Sequence, residues 1–228
     1  MLSASIEDYI KTIYALEAES HKASTKQIAE RLHVKMASVT GMIKHLAAEG
    51  FVRHTPYRGV QLTEKGRTVA LSMIRRHRLI ELFLSRTLNL NWDEIHEDAE
   101  LLEHVVSDRL VERMFEVLGF PEFDPHGSPI PDRDGVIAPP QGVRMDEMLV
   151  GSRGRVVEVA DHDPDFLRYL TGLNLKIGSE VRLRERAPFN GPISLTVGSR
   201  AIALGAEAAS RIRVLPVELF PRRSAKRD

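Results

Sequence analysis

Residues 25–50 read TKQIAERLHVKMASVTGMIKHLAAEG, and this stretch decides the fold of the N-terminal part. Ser24 and Thr25 form a good N-cap for a short helix over TKQIAERL. A second helix is predicted from residue 36, and Gly50 stops it. Helix, tight turn and helix at this spacing is typical of a helix-turn-helix.

The segments on either side extend this unit into a winged helix-turn-helix. Residues 5–19, SIEDYIKTIYALEAE, place apolar side chains at helical spacing after Ser3 or Ser5 as the N-cap. On the other side, residues 51–63, FVRHTPYRGVQLT, give two short β-like runs about Tyr57-Arg58-Gly59. That pattern predicts a β-hairpin, the wing.

The remainder of the chain predicts two more helices and a small β domain. A fourth helix is expected from about residue 64 to 87, and a fifth from about 93 to 118, ended by Gly119-Phe120-Pro121. Residues 121–142 are rich in Pro, Asp and Gly, a linker composition. The runs GRVVEVA, EVRLRER, ISLTVG and RIRVLPV then alternate in hydropathy, which favours a small antiparallel barrel.

The expected fold class is therefore mainly α with a small β domain. We predict a winged helix-turn-helix DNA-binding domain, a helical metal-binding and dimerisation domain, a proline-rich linker, a β-barrel domain and a basic tail. Their predicted bounds are 1–66, 67–126, 127–146, 147–220 and 221–228.

Charge and composition narrow the function. The chain has 228 residues, no cysteine and a formal net charge of +0, so disulfides and thiolate metal sites are excluded. Residues 1–78 hold 13 Lys/Arg and 7 Asp/Glu, whereas residues 79–147 hold 5 and 16. A basic N-terminal part suits phosphate contact, and an acidic centre with histidines suits a cation. With no membrane-length apolar run and no signal-peptide pattern, we expect a cytoplasmic protein without membrane partners.

The second helix of the helix-turn-helix is expected to enter the major groove of double-stranded DNA. Small residues near its N-terminus let the backbone approach the bases, and basic residues on the flanks and wing contact phosphates. A three-helix domain with a scattered basic surface is the alternative, but the wing and the local charge favour DNA. The predicted DNA-binding residues are Lys26, Lys35, Ala37, Ser38, Thr40, Gly41, Lys44, Arg53 and Arg58.

Histidines and carboxylates recur at helical spacing in the acidic centre. His77 and Glu81 share one face of the fourth helix. On a continuous fifth helix, His96, Glu100, Glu103 and His104 would span an arc of about 100°. Solvated charges are the alternative, but the aligned carboxylates repel one another unless a cation intervenes. His and carboxylate ligands without sulfur suit Mn²⁺, Fe²⁺, Co²⁺ or Zn²⁺, and Asp8 joins them if the first helix packs across.

Three of these segments together are similar to a known family. SIEDYIKTIYALEAE (5–19), RRHRLIELFL (75–84) and HEDAELLEHVVSD (96–108) resemble the diphtheria-toxin-repressor family of metalloregulators, in the same order as the helix-turn-helix. The resemblance covers about residues 5–140 and continues more weakly into a C-terminal SH3-like domain. It implies a metal-loaded homodimer that represses transcription, and no enzymatic activity.

The resemblance implies two metal sites per subunit. The family's primary site falls on Asp8, Glu100, Glu103 and His104. Its ancillary site falls on His77, Glu81 and His96, with His162 and Asp165 of DHDPDFLRYL added from the SH3-like domain. The family often has Glu and Gln at those last two positions.

The ligand types indicate Mn²⁺ as the main effector, with Fe²⁺ as the alternative. Iron-responsive members of the family have Met and Cys where this chain has Asp8 and Glu100, and manganese-responsive members have Asp and Glu. The short manganese regulators also use a Glu where this chain has Lys11, so their closely spaced two-metal cluster is not expected here.

The expected mechanism is a metal-driven population shift. Without metal, Asp8, Glu100 and Glu103 repel, and a cation that ties them together fixes the spacing of two recognition helices on a palindromic operator. The operator would control metal-uptake genes. Apolar residues of the fifth helix serve either the dimer contact or the chain's own core; these are Leu101, Val105, Leu110, Met114 and Leu118.

Two other classes of function fit less well. A metallohydrolase usually shows H-E-x-x-H or three ligands with an open position, and this chain has no such motif. A winged-helix regulator of an organic small molecule needs an apolar pocket, whereas the expected site is lined by charges.

Overall fold

The computed structural model describes residues 2–20, 22–55, 59–160 and 163–217. Packing groups the chain into two compact units. The first comprises Met1–Phe83, Glu97–Glu122 and Ile130–Ala138, and the second comprises Leu84–His96, Phe123–Pro129 and Pro139–Asp228. No helix in the described ranges is long and apolar enough to cross a bilayer.

The N-terminal residues form the predicted winged helix-turn-helix. Its elements are α1 (Ala4–Ser20), α2 (Thr25–Arg31), α3 (Met36–Ala48), β1 (Val52–Thr55) and β2 (Gly59–Leu62). Ser24 caps α2 reciprocally: its hydroxyl accepts from the Gln27 backbone at 3.2 Å, and its backbone N–H donates to the Gln27 side chain at 3.0 Å. Apolar side chains from α1, α2, α3 and the antiparallel β1–β2 hairpin form one buried core, which fixes the exposed face of α3.

Three further helices complete the α-helical part: α4 (Glu64–Leu88), α5 (Ile95–Leu102) and α6 (Asp108–Val117). The single helix predicted from about residue 93 to 118 is wrong, because the chain turns over residues 103–107. Ser107 ends this turn as the N-cap of α6, where its hydroxyl accepts from the Leu110 backbone N–H. A good cap in mid-segment starts a new helix that the apolar periodicity alone did not separate.

Part of the segment predicted as a linker packs against the helices of the first unit. Ile130 is buried with apolar residues of α4 and α6. The buried Arg75 of α4 donates to the Pro131 carbonyl at 2.8 Å, and Arg133 donates to Glu112 of α6 at 2.8 Å. Residues 130–138 therefore form a strap over α4 and α6.

The C-terminal residues form a six-stranded antiparallel sheet with two short helices. The strands are β3 (Val143–Arg144), β4 (Arg153–Val159), β5 (Glu180–Arg186), β6 (Ile193–Val197), β7 (Arg200–Leu204) and β8 (Ile212–Val217). Their order in the sheet is β3-β8-β4-β5-β6-β7, and the helices are α7 (Pro164–Gly172) and α8 (Ala206–Ser210). Inward-facing side chains of the alternating strands build the core, with a 3-10 turn at Met145–Glu147 beside it.

The expected fold class, mainly α with a small antiparallel β domain, is confirmed. Four strands match the alternating runs of the sequence, whereas β3 and β7 were not predicted. Gly142 precedes β3 with φ +68°, and a Cβ there would lie 2.3 Å from the Val214 carbonyl oxygen of β8. A glycine is therefore required where the chain joins the sheet.

Candidate metal centre

Charged side chains from three places in the first unit converge on Glu103. They come from the first half of α1, the middle of α4 and the segment formed by α5 with the turn after it. Glu103 is fully buried although it carries a carboxylate. A buried carboxylate is stable only if cations or hydrogen-bond donors neutralise it, so its partners define the chemistry of the site.

Asp8, Glu103 and His104 form a compact donor group on one side of Glu103. Each offers one ligand atom, and these atoms lie within 4.8 Å of one another. Asp8 Oδ1 is 3.1 Å from His104 Nε2, which is 3.8 Å from Glu103 Oε1. Ligand atoms at about 2.0–2.2 Å from one ion are separated by roughly 3–4.5 Å, so the group fits a divalent cation. Two carboxylates and an imidazole suit the borderline and hard ions of the first transition row.

Glu7 orients the imidazole of this group and was missed in the sequence. His104 Nδ1 lies 2.8 Å from Glu7 Oε2, so His104 donates to a carboxylate on the side away from Asp8. With Nδ1 held in this way, Nε2 faces Asp8 and Glu103 and could present its lone pair to a bound metal ion, the arrangement usual for a metal-ligating histidine. No periodicity marks Glu7, because its role depends on α1 packing against the turn after α5.

The electrostatics on this side favour a cation. Burial raises the pKa of Asp8, the His104 and Lys11 charges lower it, and the Glu100 and Glu103 charges raise it again. The net shift is upwards, so ionised Asp8 is destabilised in the metal-free protein. A bound cation would favour the ionised form.

Lys11 lies on the other side of Glu103. Its ammonium donates to Glu100 Oε1 at 2.7 Å and to the two carboxylate oxygens of Glu103 at 2.9 and 3.0 Å. Burial acts to lower the pKa of Lys11, but the charges and hydrogen bonds of Glu103 and Glu100 outweigh it and raise the pKa. Glu100, a predicted primary ligand, is thus paired here with Lys11 rather than grouped with Asp8 and His104.

His77 is the second cation on the Lys11 side. Its Nδ1 lies 2.5 Å from Glu103 Oε2, and its Nε2 lies 3.0 Å from Glu81 Oε1, one turn along α4. Burial acts to lower the pKa of His77, but the hydrogen bonds to Glu103 and Glu81 raise it to about 9. The imidazole is therefore protonated at neutral pH in the metal-free protein.

Three predicted ligands remain: His96, Asp165 and His162. His96 is in the first turn of α5, one turn before Glu100. Asp165 is in the first turn of α7, where its side chain is exposed and pairs with Arg168 at 2.6 Å. His162 falls outside the described residues.

The predicted DNA-facing side chains share the exposed face of α3 and its surroundings. Residues of α3 alternate between a buried face, with Val39, Ile43 and Leu46, and an open one. The exposed predicted residues are Lys26, Lys35, Ala37, Ser38, Thr40, Gly41, Lys44 and Arg53. Arg58 lies outside the described residues.

The apolar residues of the segment predicted as a single fifth helix divide into an exposed set and a buried set. Leu101, Val105 and Leu110 are exposed by 74%, 76% and 47%. Met114 is buried, and Leu118 packs on the small core between α4 and α6. The first set is therefore available for a subunit contact, and the second belongs to the chain's own core.

Family models match three successive parts of the chain. Residues 1–60 match the iron dependent repressor N-terminal DNA binding domain, and residues 63–132 match the metal binding and dimerisation domain of the same repressors. Residues 143–216 match the FeoA domain. The three matches follow the same order as the winged helix-turn-helix, the helical part and the β domain.

Relatives of known name cover almost the whole chain. The diphtheria toxin repressor of Corynebacterium glutamicum is 31% identical over 222 residues, 93% of this chain and 96% of that protein. The iron-dependent repressor IdeR of Mycobacterium tuberculosis is 32% identical over 220 residues, 91% of this chain and 95% of that protein.

Solved structures give the same result. A manganese-dependent transcriptional repressor in complex with manganese is 40% identical, covers 93% of this chain and 100% of its own, and has a TM-score of 0.84. The manganese regulator SloR is 37% identical, covers 93% of this chain and 98% of its own, and has a TM-score of 0.77.

Proposed function

Because the chain belongs to the iron-dependent repressor family, we propose that a metal ion, Mn²⁺, is its effector. This family includes the diphtheria toxin repressor, and its members are metal-dependent transcriptional repressors rather than enzymes. In this proposal a metal-loaded homodimer binds palindromic operator DNA and represses metal-uptake genes. Fe²⁺ is the alternative effector.

The donor group of Asp8, Glu103 and His104 carries this proposal. It has two carboxylates and an imidazole, and the chain has no cysteine to provide a softer ligand. Oxygen and imidazole donors suit Mn²⁺, although intrinsic affinity favours later transition ions and selectivity must come from geometry and availability. The two solved structures described above are named as manganese regulators, which supports the same choice.

The group joins two parts of the first unit. Asp8 lies on α1, which packs in the core of the winged helix, whereas Glu103 and His104 lie in the turn after α5. When bound, a divalent cation would neutralise the carboxylates and tie α1 to that turn. Without the cation, the carboxylates of Asp8 and Glu103 repel each other, so the position of the winged helix is coupled to metal binding.

Two exposed surfaces support the dimer and the DNA contact. Leu101, Val105 and Leu110 offer apolar area for a two-fold subunit contact. The open face of α3 carries small side chains flanked by Lys35 and Lys44, as a recognition helix requires. A two-fold dimer with two such helices matches a palindromic operator.

The ancillary metal site stays a prediction. Its proposed ligands are His77, Glu81, His96, His162 and Asp165, and with the Asp8 group it would bring the number of sites to two per subunit.

A DNA-binding titration of the full chain tests the proposed function. Metal-free protein is titrated with Mn²⁺, Fe²⁺, Co²⁺ and Zn²⁺ against a fluorescent palindrome taken from upstream of a neighbouring metal-transporter gene. We expect Mn²⁺ to promote DNA binding at the concentrations of free Mn²⁺ that cells maintain. We expect a chelator to reverse this DNA binding. Equal binding in excess chelator would overturn metal dependence, and activation by Fe²⁺ alone would select the alternative effector.

A further inference from the structure

The sheet of the β domain carries a groove that is lined mainly by arginines. The groove has a volume of about 410 Å³, and its lining includes Arg153 of β4 together with Arg182 and Arg184 of β5. Glu180 adds one carboxylate, and the other described residues of the lining carry no charge. The described lining therefore has an excess of positive charge, in a volume that is typical of small-molecule sites.

Cross-strand pairing places two of these arginines side by side. Arg153 is the Cα partner of Arg182 across β4 and β5, and Arg182 is the partner of Thr196 across β5 and β6. Paired residues point to the same face of a sheet, so these three side chains form a row across three strands. Like charges directly opposite each other destabilise a sheet, so an anion bound between Arg153 and Arg182 would stabilise this row.

A β-bulge adds the third arginine to the row. The pairing of β5 with β6 shifts by one residue between Leu183 and Glu185, so Arg184 is the extra residue of the bulge. A bulge often turns a side chain in a new direction. The Nε of Arg184 donates to the Thr196 hydroxyl at 2.8 Å, which holds this guanidinium at the end of the row.

Arg182 lacks an acceptor that a covered guanidinium N–H normally has. Its Nε atom is shielded from solvent, and no hydrogen-bond acceptor contacts that atom within the described residues. Over the same ranges neither Arg153 nor Arg182 pairs with a carboxylate. Glu180 is instead the Cα partner of Arg155. Polar atoms shielded from solvent nearly always have partners, and an oxyanion in the groove would supply one to this guanidinium.

We propose that this groove binds a small anion that carries phosphate, held by charge-assisted hydrogen bonds from Arg153, Arg182 and Arg184. Guanidinium groups match phosphate oxygens with two parallel hydrogen bonds. Contact with duplex DNA spreads over many phosphates, whereas these three arginines converge on one groove, which favours a small molecule. The site shares no residue with the Asp8 group, so it would give the chain a second ligand besides the metal.

Calorimetry with pyrophosphate tests this site. Metal-free full chain is titrated with sodium pyrophosphate in chelator at constant ionic strength, as wild type, Arg182→Gln, Arg153→Gln and Lys176→Gln. Lys176 is an exposed basic residue of the β domain outside the groove lining, so it is the matched control. We expect one pyrophosphate per subunit in the wild type and the control, and binding at least about 10-fold weaker in either arginine variant. No binding by the wild type, or equal affinity in all four proteins, would overturn the proposal.

Duplex DNA without an operator tests the other source of phosphate. We expect Arg182→Gln and Lys176→Gln to bind labelled duplex with the same weak affinity. Weaker duplex binding by Arg182→Gln alone, without pyrophosphate binding by the wild type, would overturn the proposal and assign the arginines to the DNA backbone. Circular dichroism checks the fold of each variant. Because Arg153 is exposed, Arg153→Gln keeps the test decisive if Arg182→Gln does not fold.

Discussion

Two sides of one buried carboxylate differ in where their positive charge comes from. On the Asp8 side of Glu103, formed by Asp8, His104 and Glu7, the chain provides two further carboxylates and one imidazole. On the Lys11 side, formed by Lys11, His77, Glu100 and Glu81, the chain provides its own cations. The residue types are nearly the same on both sides. The difference is that Lys11 supplies a covalently attached cation to Glu100 and Glu103, whereas Asp8, Glu103 and His104 form a donor group for an ion that is not part of the chain.

Glu103 belongs to both sides, so its replacement should have the largest effect. Glu103→Gln is expected to lower Mn²⁺ affinity by more than about 100-fold, since even outer-shell partners are worth about 10–100-fold. It should also lower the metal-free unfolding temperature, because Lys11 and His77 lose their shared partner. Calorimetry and thermal melting measure the two effects. A loss of only one would mean that the two sides do not share Glu103.

Asp8 belongs to one side only and should separate the two effects. Asp8→Asn is expected to weaken Mn²⁺-dependent operator binding by about 100-fold, while the metal-free unfolding temperature stays within about 2 °C of the wild type. Fluorescence anisotropy with labelled operator measures the first. Glu97→Gln, an exposed carboxylate of α5, is the matched control. Normal metal response in Asp8→Asn would remove this side as the effector site.

Glu7 acts on the Asp8 side through His104, so its replacement should have a smaller effect than the replacement of Asp8. Glu7→Gln keeps the side chain's size but weakens the hydrogen bond that holds His104 Nδ1. We expect a loss of about 10-fold in Mn²⁺ affinity with the number of bound ions unchanged. Competition with a fluorescent chelator gives the affinity, again beside Glu97→Gln. An affinity equal to that of the control would assign the Glu7–His104 contact a purely structural role.

The Lys11 side should show the smallest effect, as a pH dependence of the metal-free protein. The folded pKa of His77, about 9, lies above its ordinary 6.5. The stability it contributes is therefore complete below about pH 6.5 and is lost as pH rises through about 9. Lys11, Glu81, Glu103 and Glu100 face this imidazole.

Thermal melting in the presence of chelator measures this effect. Between pH 6.5 and 9.5 we expect the midpoint temperature of the first unfolding transition of the wild type to fall by about 5 °C. His77→Gln should show a clearly flatter profile. Parallel profiles of the two proteins would contradict a protonated His77.

Much of the fold follows from local signals in the sequence. The Ser24 cap, the apolar spacing of α1 and α3 and the end of α3 near Gly50 are set within a few residues, so they were predictable. The break between α5 and α6 was not, because apolar spacing continues across it and only the Ser107 cap marks the new start. Short edge strands such as β3 carry too few residues for alternation to identify them.

The candidate site was predictable in its members but not in its pairing. The resemblance placed Asp8, Glu100, Glu103 and His104 in one site, and the structure groups Asp8, Glu103 and His104 but pairs Glu100 with Lys11. The helical-arc argument for Glu103 and His104 was wrong, since both follow the end of α5. The identity of Lys11 was noted, but its contact with Glu100 depends on the distance between α1 and α5, which no spacing along the chain encodes.

The strap over α4 and α6 has a practical consequence for dissecting the chain by proteolysis. Residues 139–141 are exposed, whereas Arg75 and Glu112 hold the segment just before them through Pro131 and Arg133. A fragment that ends at residue 138 keeps these hydrogen bonds. A fragment that ends at residue 126 lacks Ile130 and exposes the apolar residues of α4 and α6 that Ile130 covers. Cleavage is therefore expected at residues 139–141, about a dozen residues later than the start of the linker that the composition indicates.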